Sequence, residues 1–325
     1  MKKTLALVLA LAMSLFLVAC GGGEKNPSSS GSAGTSSSAG TETATSLAVC
    51  LASEPDTIDP ALNSAVDGAT MVAHLFSGLA KWAQDAEGNL VIVADAAEEL
   101  VEGVVNDDGT VTYTYTLRDG LKWSDGKDVT AADFEFAWKR AASVELAADY
   151  GYMFEVVDGY ADVWAETPVE GAELNVKAID EKTLEVTLAN AVSYWNELLA
   201  FPTYMPVRED VVADEAWATE PETYICNGPY TIESWEHNSV ITLTKNPNYV
   251  DAANVTMETI EFYLSDDTNN MLTNWKADTW MVIDSMPTNE IPAIQAEYGP
   301  TGEYIVGSQI GTYYACWNIN EPLLP

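Results

Sequence analysis

The chain has 325 residues, with 14 Lys+Arg against 50 Asp+Glu, a formal net charge of −36 and two histidines. A surface that acidic repels phosphate backbones and anionic membrane faces, so a nucleic-acid partner is not expected. Two histidines leave little material for a His-based metal site or a His-dependent triad, while 47% hydrophobic and 10% aromatic residues make a globular composition of about two domains.

Lys2 and Lys3 precede an uncharged apolar run over residues 4–19. The run is shorter than the roughly 20 residues that a spanning helix needs, and it reads as a secretory signal over residues 1–19; a true transmembrane anchor is the alternative. Leu17-Val18-Ala19-Cys20 then resembles a bacterial lipobox. That resemblance implies cleavage before Cys20 and lipidation of its sulfur, which anchors a protein without a spanning helix. Residues 21–45 are dominated by Gly, Ser, Thr and Ala, with no large apolar side chain. They read as a flexible tether of about 25–30 Å r.m.s. reach.

From residue 47 the pattern becomes globular. Ser46–Leu51 suits a buried strand, closed by the turn signals Glu54-Pro55-Asp56 and Asp59-Pro60. Met71, Leu75, Leu79 and Trp82 recur at spacings of four and three, which predicts a helix over 71–82. Leu90–Val93 predicts a strand, and Asn106–Gly109 a turn. Val111, Tyr113, Tyr115 and Leu117 alternate with polar residues, as do Leu184, Val186 and Leu188; both read as half-buried strands. Thr130 and Asp133 predict a capping box, followed by Phe134, Ala137, Trp138 and Ala141 on one helical face. Tyr194–Leu199 reads as helix. Tyr230–Trp235 and Val240–Thr244, with Glu236–Ser239 between them, predict a hairpin with a four-residue loop, and Ile260–Leu264 a further strand. Irregularly alternating helices and strands place the chain in the α/β or α+β class with mixed sheets.

No GxSxG, HExxH, GxxxxGK[ST] or GxGxxG occurs, so no catalytic site, metal site or cofactor is expected. With 50 acids, paired carboxylates carry no information about glycoside chemistry. His74 reads as structural and His237 as solvated. If Cys20 is lipidated, Cys50, Cys226 and Cys316 remain, and at most one disulfide can form. Cys50 and Cys316 lie in apolar, strand-like runs and read as buried small hydrophobes. The 10 Trp, 15 Tyr and 7 Phe supply core and leave some rings to line a pocket.

Several ordered stretches resemble one family, the solute-binding lipoproteins of oligopeptide and dipeptide ABC importers. The most specific is the run from Leu117 to Arg140, LRDGLKWSDGKDVTAADFEFAWKR. Glu54-Pro-Asp-Thr-Ile-Asp-Pro60, Leu75-Phe-Ser-Gly-Leu79, Val176–Leu188, Asn227-Gly-Pro-Tyr230 and Lys245-Asn-Pro-Asn-Tyr249 match further landmarks. Ser285-Met-Pro287 and Gly311-Thr-Tyr-Tyr314 look like the oligopeptide-binding branch. The resemblance covers residues 47–325. It departs where the family's Gly-x-x-Asp near Ala277 reads Asp278-Thr-Trp-Met281.

The resemblance implies an α/β fold of two lobes closing over a ligand, like periplasmic binding proteins of type II, with the inserted subdomain of the peptide-binding cluster. Residues 47–76 and 190–325 would form the first lobe and 77–189 the insertion, after a signal at 1–19 and a lipidated linker at 20–46. The closing lobe would be missing after Pro325, and with it the acid that captures a peptide's amino terminus. By position, Ser64, Ala65 and Val66 would offer backbone groups to an extended peptide, and Tyr150 and Tyr314 would touch it; the branch carries an acid at the place of Ser64. The implied role is a monomeric receptor, held by lipid to the outer face of the cell membrane, that passes oligopeptides to an ABC permease. A peptide-sensing surface protein or adhesin without transport, and a family member taking dipeptides, sugars or metal chelates, are the rivals.

Overall fold

Two of the predicted alternating runs meet directly. In this computed structural model, which describes residues 45–167, 169–307, 312 and 314–316, strand β5 (Val111–Thr116) pairs antiparallel with β7 (Thr183–Leu188), taking in chain order β1 (Ser46–Ala52), β2 (Ala80–Gln84), β3 (Leu90–Ala94), β4 (Val104–Val105) and β6 (Val176–Ala178) before it. Val111 lies opposite Leu188, Tyr113 opposite Val186 and Tyr115 opposite Leu184. Leu184, Val186 and Leu188 of one predicted run therefore each face an apolar residue of the other, the cross-strand pairing that stabilises a sheet, while Leu117 lies past the end of β5 and bridges Ala97 instead. The order of this sheet is β4-β5-β7-β6.

Against it packs α2 (Ala131–Ala141), which follows α1 (Val66–Leu75). Phe134, Ala137, Trp138 and Ala141 are all buried, as the 3.6-residue period demands. The predicted box starts the helix: the Asp133 carboxylate accepts from the Thr130 backbone N–H at 2.8 Å and the Thr130 hydroxyl at 3.1 Å.

A second four-stranded sheet runs β1-β10-β9-β8, built from β8 (Tyr230–Glu236), β9 (Val240–Lys245) and β10 (Thr259–Leu264). β1 lies parallel to β10, and the other pairs are antiparallel. β2 and β3 form a separate hairpin. A continuous core joins Leu51, Ile58 and Leu75 to Trp138, Leu184 and Ile260. By contacts the chain divides into one unit of Thr41–Ser285 and another that includes Met286–Pro325. The division falls inside the 190–325 segment that the resemblance gives to one lobe. In the second unit, α4 (Ile291–Tyr298) follows α3 (Thr268–Lys276) of the first.

The structure corrects several sequence expectations. The helix expected over 71–82 spans Val66–Leu75 instead, with Leu79 buried at its foot and Trp82 on β2. Tertiary contacts override the periodicity: a Cβ on Gly78 would sit 2.9 Å from Met205 Sδ, and Ser77 is pinned by Asn227 through both backbone groups at 3.0 and 2.9 Å. The helix expected at Tyr194–Leu199 is a single turn, Trp195–Leu198. The β8–β9 loop is one residue shorter than expected because Glu236 pairs with Val240; Asn238 takes the left-handed conformation there. Cys316 is exposed, outside any strand, rather than buried. His237 is not simply solvated, since its Nδ1 lies 2.5 Å from Glu54 Oε1.

Candidate functional site

Ser64, Ala65 and Val66 form an exposed step leading into α1, and Val66 keeps 83% of its surface. Ala65 is extended at φ −120°, ψ 155°, so its peptide groups are oriented as in a strand. The step is held from below. Asp59 Oδ1 accepts the Ala61 N–H at 2.9 Å, and the Asp59 carbonyl accepts from Leu62 and Asn63. The buried Asn63 side chain accepts the Ala65 N–H at 3.3 Å. α1 can lie so close only because residue 68 is Gly: a Cβ there would meet Asn63 Oδ1 at 2.0 Å.

Two residues of α2 tie this step to the aromatic part of the site. Arg140 holds Asp59 through both carboxylate oxygens, at 3.1 and 2.7 Å, with the Asp59 side chain 3% exposed. Paired forks of this kind fix direction as well as distance. One half-turn earlier, the Trp138 indole donates to the Tyr204 carbonyl at 2.8 Å, and Tyr204 in turn donates to the Met153 carbonyl at 2.9 Å. That chain positions the segment carrying Tyr150, whose ring meets Phe201 edge-on at 5.0 Å and Tyr152 at 6.0 Å. The step and the aromatic group are thus both suspended from the last turns of α2. Tyr152, half exposed, and Phe201 were not singled out by sequence reasoning; the Tyr150-x-Tyr152 pair was the visible signal, whereas nothing marked Phe201. Tyr314 is 73% exposed and lies in the other unit. Cys20 lies outside the described residues.

The signature residues explain themselves as architecture. Arg140 of the long motif binds Asp59 of the opening motif. Arg118 binds Asp251, beside the Asn-Pro-Asn-Tyr motif, through two contacts of 2.8 Å. Asn248 donates to the Ser124 carbonyl at 3.0 Å, and Ser77 donates to Asp95 at 2.6 Å. Buried polar groups of this kind are expensive unless fully paired, so each motif needs its partner motif in space.

The remaining reactive groups are bound elsewhere. His74 Nδ1 lies 2.7 Å from the Thr70 carbonyl, and its ring packs edge-on against Phe262 at 5.2 Å; burial lowers its pKa. Burial pushes the Cys226 thiol up to about 12, far from the thiolate a nucleophile needs. Among the described residues, no group of three His, Cys, Asp or Glu could hold a metal ion, and no helix is long and apolar enough to cross a membrane. A cavity of about 320 Å³ beside Ala142, Ser143, Val163 and Leu174 includes neither the step nor Tyr150. The candidate residues thus comprise an exposed stretch of main chain at Ser64–Val66 and a group of rings at Tyr150, Tyr152 and Phe201.

The family model described as bacterial extracellular solute-binding proteins, family 5 middle, matches residues 92–324. The chain is 33% identical over 274 residues to the oligopeptide-binding protein OppA of Bacillus subtilis strain 168, covering 81% of this chain and 48% of that protein. It is 32% identical over 277 residues to the probable deoxycholate-binding periplasmic protein YgiS of Escherichia coli K12, covering 83% and 49%. Among solved structures, OppA of Listeria monocytogenes bound to peptide matches with a TM-score of 0.64 at 32% identity, over 73% of this chain and 46% of that one. The chain spans about half the length of the curated relatives it matches.

Proposed function

The chain belongs to the bacterial extracellular solute-binding proteins of family 5, and from that premise we propose that it binds oligopeptides outside the cytoplasm and delivers them to an ABC permease. The observation that carries this reading is the exposed, extended step Ser64–Val66, locked on a rigid base by the Asp59–Arg140 pair. An extended peptide laid along it would pair main chain to main chain, as an added strand does, while Tyr150 walls one side. Affinity drawn from backbone groups tolerates many peptide sequences. The names of the Bacillus and Listeria relatives agree with such a ligand. Tyr314 joins the contacts in this reading. Residues 1–19 serve as signal, Cys20 as lipid anchor and the segment to residue 46 as tether; 47–76 and 190–325 form one lobe and 77–189 its insertion. The receptor works as a monomer on the outer face of the membrane, by binding and lobe closure rather than by chemistry.

A proline substitution tests the strand-addition geometry. Val66 is the first residue of α1 and Ala65 before it is already extended, so Val66→Pro is compatible with the fold and removes one N–H. Peptide affinity should fall about tenfold, the worth of one hydrogen bond, with the melting temperature unchanged. Unaltered affinity would show that this N–H is not offered to the ligand. The kinship with a protein named for deoxycholate binding favours a second reading, a bile-acid-like solute. Native mass spectrometry of the purified protein separates them: co-purifying peptides support the first reading, and a steroid mass supports the second.

A further inference from the structure

Resting on the peptide-binding reading, we propose that this receptor discriminates by ligand charge, taking neutral and cationic peptides and excluding anionic ones. The basis is the distribution of the cations. Among the described residues, every Lys and Arg except Lys177 and Lys276 is already in an ion pair with a carboxylate of the same chain. The two exceptions lie on β6 and at the end of α3, and neither segment builds the step or the aromatic group. The negative charges, by contrast, are in large excess, at −36 net.

At the step itself the same imbalance holds. The cation closest to it in the network, Arg140, is consumed by both oxygens of Asp59 and is 16% exposed. Asp67, in the first turn of α1, accepts the Gly68 N–H at 2.7 Å and pairs with no cation of the described residues. Asp149 is exposed immediately before Tyr150. A glutamate side chain of a peptide that runs over the step and Tyr150 would pass a carboxylate on each segment, Asp67 and Asp149, and no unpaired guanidinium or ammonium of either. A lysine would meet the same two groups favourably. One charge pair about 7 Å apart in water changes binding about threefold, and several such pairs act together on a multiply charged peptide. The acidic surroundings add a steering effect on association with the same sign.

The test uses the full-length protein and three peptides of one length, Ala-Lys-Ala-Lys-Ala, Ala-Ser-Ala-Ser-Ala and Ala-Glu-Ala-Glu-Ala, titrated by calorimetry in about 20 mM and about 1 M salt, where the screening length falls to about 3 Å. We expect the lysine peptide to bind at least about tenfold more tightly than the glutamate peptide at low salt, and the gap to narrow to about threefold or less at high salt. The double variant Asp67→Asn with Asp149→Asn, whose amides keep the shape of the carboxylates, should lower the lysine-to-glutamate ratio at low salt by about threefold or more. If the serine peptide binds and the glutamate peptide binds equally well at low salt, or the gap ignores salt, charge selection is wrong while peptide binding stands. If none of the three binds at either salt, the peptide reading itself fails, and this inference with it.

Discussion

Asp59 and Arg140 stand 81 positions apart, and neither is intelligible without the other. Their pair is mostly withdrawn from water, so removing one partner leaves a buried charge uncompensated. Asp59→Ala should cost about 3–5 kcal/mol, read as a lowered urea midpoint; a loss under about 1 kcal/mol would mean the pair behaves as a surface contact. His237 makes a weaker, exposed clasp. Glu54 raises its pKa by accepting a hydrogen bond from the ring, against the opposing effect of desolvation, and the charges of Glu54 and of Glu220 at 3.9 Å add in the raising direction. Because the folded-state value is raised, the clasp contributes fully below the ordinary histidine pKa of about 6.5 and fades as pH climbs through the raised value. Thermal melts between about pH 6 and pH 9 should therefore fall more steeply for the natural chain than for Glu54→Gln. Parallel slopes would remove the clasp from the account. No sequence signal announced either pair, since the partners come from turns far apart in the chain.

At the level of elements, α3 shows how a departure from a family pattern can preserve the geometry. After Lys276 the Thr279 N–H returns to the Asn274 carbonyl at 2.9 Å and the Asp278 N–H to the Trp275 carbonyl at 3.1 Å, the paired bonds of a Schellman ending. Asp278 supplies the required left-handed residue at φ 58°, a conformation that favours glycine but which aspartate tolerates. The turn survives where the family's glycine does not. Asp278→Gly should stabilise the protein by about 0.5–1 kcal/mol, measurable as a raised melting temperature, whereas a lower one would mean the carboxylate itself is needed. The strands and α2 were legible in the sequence because periods of 2 and 3.6 record which face is buried. The extent of α1 was not, because Leu79 and Trp82 keep a helical spacing that the Ser77–Asn227 contacts and the crowding at Gly78 do not allow the backbone to follow.

For the whole molecule, charge is the dominant physical fact. A net −36 opposes compaction through self-repulsion, which added salt screens. Raising NaCl from about 20 mM to about 500 mM should lift the melting temperature by about 3–6 °C, the shift corresponding to about 1.5 kcal/mol. A flat or falling response would show that the ion pairs, which the same salt weakens, carry more of the stability than self-repulsion removes. This whole-molecule balance also underlies the proposed exclusion of anionic ligands, because the cations that could receive them are spent on holding the fold.

The sequence by itself determined the family, the two alternating strands that became β5 and β7, the capping of α2 and the acidic character, since each is written in local order, periodicity or composition. It also pointed to Ser64, Ala65, Val66 and Tyr150 through resemblance. Only the tertiary structure decided how those segments are held. Arg140 grips the loop under the step, and Trp138, through Tyr204, sets the segment bearing Tyr150. Those links join residues that no periodicity relates. They exist because burial forces each polar group to find a partner wherever the folded chain supplies one.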